Sequence, residues 1–242
     1  MRVLKQLLGG ITVAGLIVGC AGVDPNGAVQ AGLYGLKAVT LSDDEVKSTA
    51  RASAKEMDGE ASLAPPSNAY AKRLQKIFGK HSSDNGLPLN YAVYLTKDVN
   101  AFAMADGTVR VFSGLMDMMD DNELLFVIGH EIGHVFHGHS KEKLKTAYAT
   151  AALRQGAAAA GGTAGRLAAG QLGAVGQAAI NAQFSQAEEK QADQYGLEFL
   201  KRNGYPTKAA PAALRKLGGG SGGFFSSHPG SEERAKALEK NI

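Results

Sequence analysis

Residues 120–140, DDNELLFVIGHEIGHVFHGHS, constrain this chain more than any other stretch. Asp120 can cap a helix, and Glu123 three residues on completes a capping box. Leu124, Phe126, Val127, Ile128, Ile132, Val135 and Phe136 make that helix too apolar for a surface. His130 and His134 are about one turn apart, so their imidazoles point the same way. Two imidazoles presented so form half of a tetrahedral zinc site, and Glu131 beside them can take a proton from a water at the metal. This is the H-E-x-x-H pattern of metallopeptidases. Gly129 and Gly133 each cost a helix interior about 1 kcal/mol relative to alanine, so another element is expected to pack closely here. The competing reading is a buried helix with two satisfied core histidines. The pentapeptide's place in a capped apolar helix argues against it.

A site of this kind needs a third protein ligand. A metzincin would carry Gly and His where His137 and Ser140 stand, so the ligand is expected from elsewhere. His137 lies about a turn past His134 and can face the cleft; His139 reads as a support to the site or a surface residue. Phe184 to Lys201 reads as a helix stopped by Asn203-Gly204 and Pro206. Within it Glu189 and Asp193 share a face at i and i+4. Glu189 could bind zinc and leave the fourth position to water. Asp193 could accept a hydrogen bond from the outer nitrogen of a ligand histidine and fix its tautomer. Glu188 is the alternative ligand, but Asp193 would then sit off its face. Taken alone, the acidic run would read as a solvated helix face.

Between the termini the period changes. Residues 20–41 are small and Gly-rich, a tether by composition. Ser42 and Glu45 box the start of a helix running to about Met57, and Pro65-Pro66 breaks it. A second helix puts Tyr70, Leu74, Ile77 and Phe78 on one face. His81 in the polar loop HSSDNG reads as a surface residue. NYAVYLT, NAFAMA and TVRVF then read as three short strands, with a hairpin at Asp106-Gly107. A free strand edge beside a zinc cleft could bind an extended peptide as an added strand; the plainer reading is that the sheet only supports the helix. Thr146 to Gln183 is mostly Ala, Gly and Gln. It is expected to form two helical arms joined near 160–165, serving as a lid, as a surface for membrane or an outer-membrane partner, or as close helix packing through small residues.

Composition matters most at the N-terminus. Residues 1–19 have a basic start at Arg2 and Lys5 and an apolar run from Leu7 to Val18, a secretory signal rather than a membrane span. Removing them takes the net charge from +3 to +1, a balance that excludes nucleic acid as an expected partner. The run ends LIVGC, with Cys20 the sole cysteine, so no intrachain disulfide can form. Leu16-Ile17-Val18-Gly19-Cys20 resembles the bacterial lipoprotein signal, in which cleavage leaves the cysteine as a lipidated N-terminus. Ala21 after it, by resemblance to the sorting rule, favours the outer membrane.

HEIGHVFHGHS, the downstream EEKQADQYG and SHPGSEER, and NAFAMADGTVRVFSGLM before the zinc helix together resemble the HtpX/Oma/BepA/LoiP type of gluzincin metallopeptidase. Within it they are most similar to the LoiP-like periplasmic lipoprotein proteases. The resemblance spans roughly Tyr70 to Leu238. It implies an α+β, mainly helical zincin-like domain over 42–242, with about three strands beside the HExxH helix. It implies one zinc per chain on His130, His134 and Glu189, Glu131 as catalytic base, and Asp193 and Arg234 in support. His228, followed by Pro229, is implied at the cleft, where it would steady an oxyanion or fill the open zinc position as an autoinhibitor; the Gly218–Gly223 run would let it move. The implied activity is cleavage of misfolded or misassembled envelope proteins by a periplasmic enzyme lipid-anchored to the outer membrane. The alternative class is a non-proteolytic outer-membrane assembly factor with a structural zinc, against which an intact Glu131 argues.

Overall fold

A computed structural model describes residues 24–159, 172–218, 224–228 and 231–242. The signal expected at 1–19, Cys20, most of the Gly218–Gly223 run, Pro229 and the expected join near 160–165 lie outside them. The fold is built on α5 (Asp121–Phe136). Asp120 accepts from the Asn122 and Glu123 amides while the Glu123 side chain accepts from the Asp120 amide, so both ends of the capping box are present. Residues 123 to 134 of α5 are all buried. Along it lies α8 (Gln186–Arg202), itself started by a capping box between Ser185 and Glu188.

The two helices approach where the sequence placed glycine. A methyl group on Gly133 would stand 2.8 Å from Tyr195 Cβ and 3.1 Å from Ala192 Cα, and one on Gly129 would stand 3.1 Å from Phe199 Cβ. Gly196 does the same from the α8 side, 3.1 Å from the His130 amide nitrogen. Absent side chains therefore set how close α8 can bring its carboxylates to the histidines. Behind them α9 (Ala209–Gly218) and α11 (Ser231–Glu239) complete a core containing Phe126, Phe199, Leu200, Leu214, Leu217 and Leu238.

Strands β3 (Asn90–Tyr94), β4 (Ala101–Ala103) and β5 (Thr108–Phe112) form a sheet of order β3-β5-β4. The β4–β5 hairpin turns at Gly107 with φ +87, where a side chain would run into the Pro88 carbonyl. β3 runs parallel to β5, and its outer edge is covered by the preceding chain: the Ala64 amide donates to Val93 O, and the Leu95 amide to Ser62 O. The other edge belongs to β4, on the side of α5. Val93, Val109 and Val111 pass into the main core. The remaining helices are α2 (Asp43–Glu60), α3 (Ala69–Phe78), α4 (Ser113–Met118), α6 (His139–Ala159), α7 (Leu172–Asn181) and the four-residue α10 (Phe224–Ser227). The whole is the mainly helical α+β arrangement expected. Among the described residues no helix is long and apolar enough to cross a membrane.

Two local expectations are corrected. The small-residue stretch read as a tether is, from residue 25 on, the helix α1 (Pro25–Thr40). Asp24 accepts from the Asn26 and Gly27 amides, and Pro25 has its φ preset for the first turn. The small residues that suggested slackness are its packing surface: a Cβ on Gly27 would lie 3.1 Å from Ala159 Cβ, and the Asp24 amide donates to Ala159 O. Likewise 81–88 is no plain loop. Strands β1 (Ser83–Asp84) and β2 (Leu87–Pro88) turn at Asn85 and Gly86, both at positive φ. The ribbon is pinned to α8, where Tyr195 OH donates to Asp84 and Asn85 Nδ2 donates to Tyr195 OH. His81, expected at the surface, is buried against Phe78 and Phe199 with Nε2 2.8 Å from Tyr205 OH.

Candidate metal centre

Four side chains from three segments converge. His130 and His134 come from α5, Glu189 from the first turn of α8, and His228 from the residue after α10; one donor atom of each lies within 4.8 Å of all the others. His130 Nε2 is 3.0 Å from His134 Nε2 and 3.2 Å from His228 Nδ1. Glu189 Oε1 is 3.4 Å from His134 Nε2 and 2.8 Å from His228 Nδ1. A tetrahedron with bonds of about 2.0 Å has edges of roughly 3.3 Å, and these separations scatter around that value. Three imidazole nitrogens cannot all donate to one another. A cation between them satisfies every lone pair at once.

The outer face of each α5 histidine is held. Asp193 Oδ1 accepts from His130 Nδ1 at 3.0 Å, which turns the Nε2 lone pair inward. His134 Nδ1 meets His139 Nδ1 at 3.0 Å, and His139 Nε2 lies 2.8 Å from Gln191 Oε1. The amide oxygen can only accept, so His139 carries its proton on Nε2 and accepts on Nδ1, which leaves the His134 proton on Nδ1 and its Nε2 free. Arg234 on α11 forks onto both Asp193 oxygens at 2.6 and 2.7 Å and also contacts Glu189 Oε2. Burial alone would raise the Asp193 pKa, but the Arg234 and His130 hydrogen bonds hold it below the usual carboxylate value.

Glu131 points into the same space. Its Oε1 is buried with no hydrogen-bond partner among the described residues; the nearest ring nitrogen is His228 Nε2 at 3.4 Å. Burial pushes its carboxyl up to about 7, with the nearby Glu189 adding to the rise and His130 opposing it. A group near neutrality can both take and return a proton. Burial works against charge on His130, yet the Asp193 bond and the Glu189 charge raise its pKa, whereas burial lowers His134 and His228 well below 6.5. An orphaned carboxyl oxygen beside three converging imidazoles and a second carboxylate fits a divalent metal.

His130, Glu131, His134, Glu189, Asp193, His228 and Arg234 all meet here. Glu188 instead caps α8, its Oε2 bonded to the Ser185 amide and hydroxyl. His137 is an exposed helix cap. Three contributors were not foreseen. Phe184 lies outside the helix it was assigned to and stacks on His134 at 3.6 Å. Lys143 from α6 lies over the Phe184 ring and donates to Ala182 O; burial pushes its ammonium down to about 8. Gln191 supports His139. A buried lysine in a helix and an aromatic just before a capping box carry little sequence signal.

Comparison with known proteins gives one consistent picture. The description "Peptidase family M48" matches residues 68–242. Metalloprotease LoiP of Escherichia coli (strain K12) is 44% identical over 244 residues, covering 99% of this chain and 97% of that protein. Metalloprotease YcaL of the same organism is 44% identical over 250 residues, covering 100% and 98%. Its beta-barrel assembly-enhancing protease is 31% identical over 157 residues, 61% of this chain and 32% of that protein.

Proposed function

Because this chain belongs to peptidase family M48 and is a metalloprotease, we propose that it is a zinc endopeptidase of the bacterial envelope that cuts misfolded or misassembled envelope proteins. The observation that carries the reading is the convergence of His130 Nε2, His134 Nε2, Glu189 Oε1 and His228 Nδ1 beside a buried Glu131 Oε1 that has no hydrogen-bond partner among the described residues. His130, His134 and Glu189 would hold one zinc. Asp193, Arg234 and His139 orient them. Bound zinc would supply the positive charge that lowers a water's pKa toward about 7 and polarises a peptide carbonyl. Glu131 takes the water's proton on its free Oε1 and returns it to the leaving nitrogen.

His228 is the fourth donor, where a catalytic site leaves a position open. With the ligands and Glu131 buried, we read this conformation as latent, and His228 must turn away before substrate enters. Its Nε2, 3.4 Å from Glu131 Oε1, puts it on the catalytic side of the cluster, where it could steady an oxyanion. The β4 edge is the place for an extended substrate, which would add as a strand. The domain takes in α1 and so spans 25–242, and Cys20 is the lipid-attachment residue that anchors the enzyme to the outer membrane from the periplasm. The name of the beta-barrel assembly-enhancing protease supports looking for clients among outer-membrane assembly intermediates.

The test is zinc content with casein cleavage, for the wild type and Glu131→Gln. Both are expected to hold about one zinc, with cleavage only in the wild type. If neither cleaves, His228→Ala comes next. Activity there supports latency, and silence there means that zinc is structural and the protein acts without proteolysis.

A further inference from the structure

Five of the eight large apolar side chains that stand exposed among the described residues lie on the α1–α6 pair: Val29, Leu33, Leu36 and Val39 on α1, and Leu153 on α6. The four on α1 recur at i, i+4, i+7 and i+10, a single helical face. The opposite face, with Gly27, Ala31, Tyr34 and Ala38, is the one packed against α6 and the cluster around it. α1 is therefore apolar on both flanks, a pattern that belongs to helices covered on both sides. Val39 is 77% exposed and Val29 62%. Scattered surface leucines need no explanation, but a continuous stripe does.

The chain next to the stripe indicates what covers it. Only three residues separate Cys20 from Asp24, the cap of α1, a reach of about 14 Å from one Cα to the other when fully extended. A lipid on Cys20 thus brings the first turn of α1 to the headgroup zone. No acidic residue occurs in α1, so an anionic lipid surface does not repel it. The segment 160–171, which leaves from the same end at Ala159, has Leu167 as its one large apolar residue, too little to cover four.

We propose that α1 lies flat on the phospholipid surface, with Val29, Leu33, Leu36 and Val39 among the outer acyl carbons and α6 stacked above it. The proposal rests on the reading of Cys20 as a lipid-attachment residue and adds to it. A lipid alone leaves the domain free to tumble, whereas α1 fixes its orientation. α6 carries that orientation to the metal centre, because His139 is its first residue.

The chain has no tryptophan, so single tryptophans report position cleanly. Full-length Leu33→Trp, Leu36→Trp and Glu198→Trp, the last on the exposed side of α8, are reconstituted in phosphatidylethanolamine–phosphatidylglycerol vesicles. Some of the vesicles carry nitroxide-labelled acyl chains. The mass of the N-terminal peptide is read in parallel. The expected result is a blue-shifted, nitroxide-quenched emission at 33 and 36, and unquenched emission at 198. Unquenched tryptophans at 33 and 36 on a lipidated chain overturn the docking and leave the anchor standing. A blue shift without quenching, together with a doubled particle mass, overturns it in favour of a second copy on the stripe. Quenching on a chain with no lipid mass supports the docking and removes the anchor.

Discussion

Replacing Gly133 by alanine tests how the centre is assembled. The new methyl would sit 2.8 Å from Tyr195 Cβ and 3.1 Å from Ala192 Cα, against ordinary contacts of about 3.5–4.0 Å. Both neighbours are the root of α8, not the end of a flexible side chain, so the helices must part by roughly 0.5–1 Å. Overpacking of this kind costs about 1–3 kcal/mol, and alanine returns about 1 kcal/mol of helix propensity. The metal-free protein should therefore lose only up to about 2 kcal/mol. The zinc site should suffer more. Glu189 lies one turn before Ala192 and Asp193 on the displaced helix, and ligand distances tolerate only about 0.2 Å. Zinc affinity is expected to fall by about 10–100-fold or more. The assay pairs urea unfolding in chelator with zinc competition against a fluorescent chelator. Gly32→Ala is the control: a methyl there meets nothing within 4 Å, and it should add up to about 1 kcal/mol with zinc binding unchanged. A Gly133→Ala protein that is as stable as the wild type and holds zinc equally well would refute the reasoning.

Three further outcomes are expected. Glu131 has its pKa raised in the folded protein from the usual 4.5 to about 7, so the stability it confers is full below pH 4.5 and is lost as pH rises toward 7. The metal-free wild type should thus fall behind metal-free Glu131→Gln across that window by on the order of 3 kcal/mol, read by chemical denaturation at each pH; a flat difference would refute it. His139→Phe should weaken zinc binding about 10–100-fold, with His139→Asn recovering part of it; equal affinity in all three would assign His139 to packing alone. Arg234→Met leaves Asp193 and Glu189 buried without their counter-charge. It should cost about 3–5 kcal/mol in chelator, and a loss under 1 kcal/mol in thermal or urea unfolding would sink that account.

The sequence was most legible where one local pattern forces one geometry. Asp120 and Glu123 framed α5, and the i, i+4 spacing of His130 and His134 aimed both rings. Gly129 and Gly133 announced a close neighbour, which is α8. Asp106-Gly107 marked the β4–β5 hairpin. Legibility failed where meaning depends on what lies across space. The small residues of 25–40 fit a slack linker and a tightly packed helix equally well, and only the glycine and alanine face of α6 decides between them. His81 sat in a polar string, yet Phe78, Phe199 and Tyr205 gather around its ring and bury it. The roles of His139, Gln191, Phe184 and Lys143 arise from contacts between segments, which no spacing records.

The contact of Arg234 with Asp193 and Glu189 also has a meaning in time. A chain is made from its N-terminus, and α11 follows α5, α8 and α10 in it. Until it does, the carboxylates of α8 have no guanidinium, and the His228 segment has only just appeared. The nascent protein therefore carries the α5 and α8 donors in an unfinished state through most of its synthesis. The buried cluster is complete only once residue 234 has been made, well after both α5 histidines.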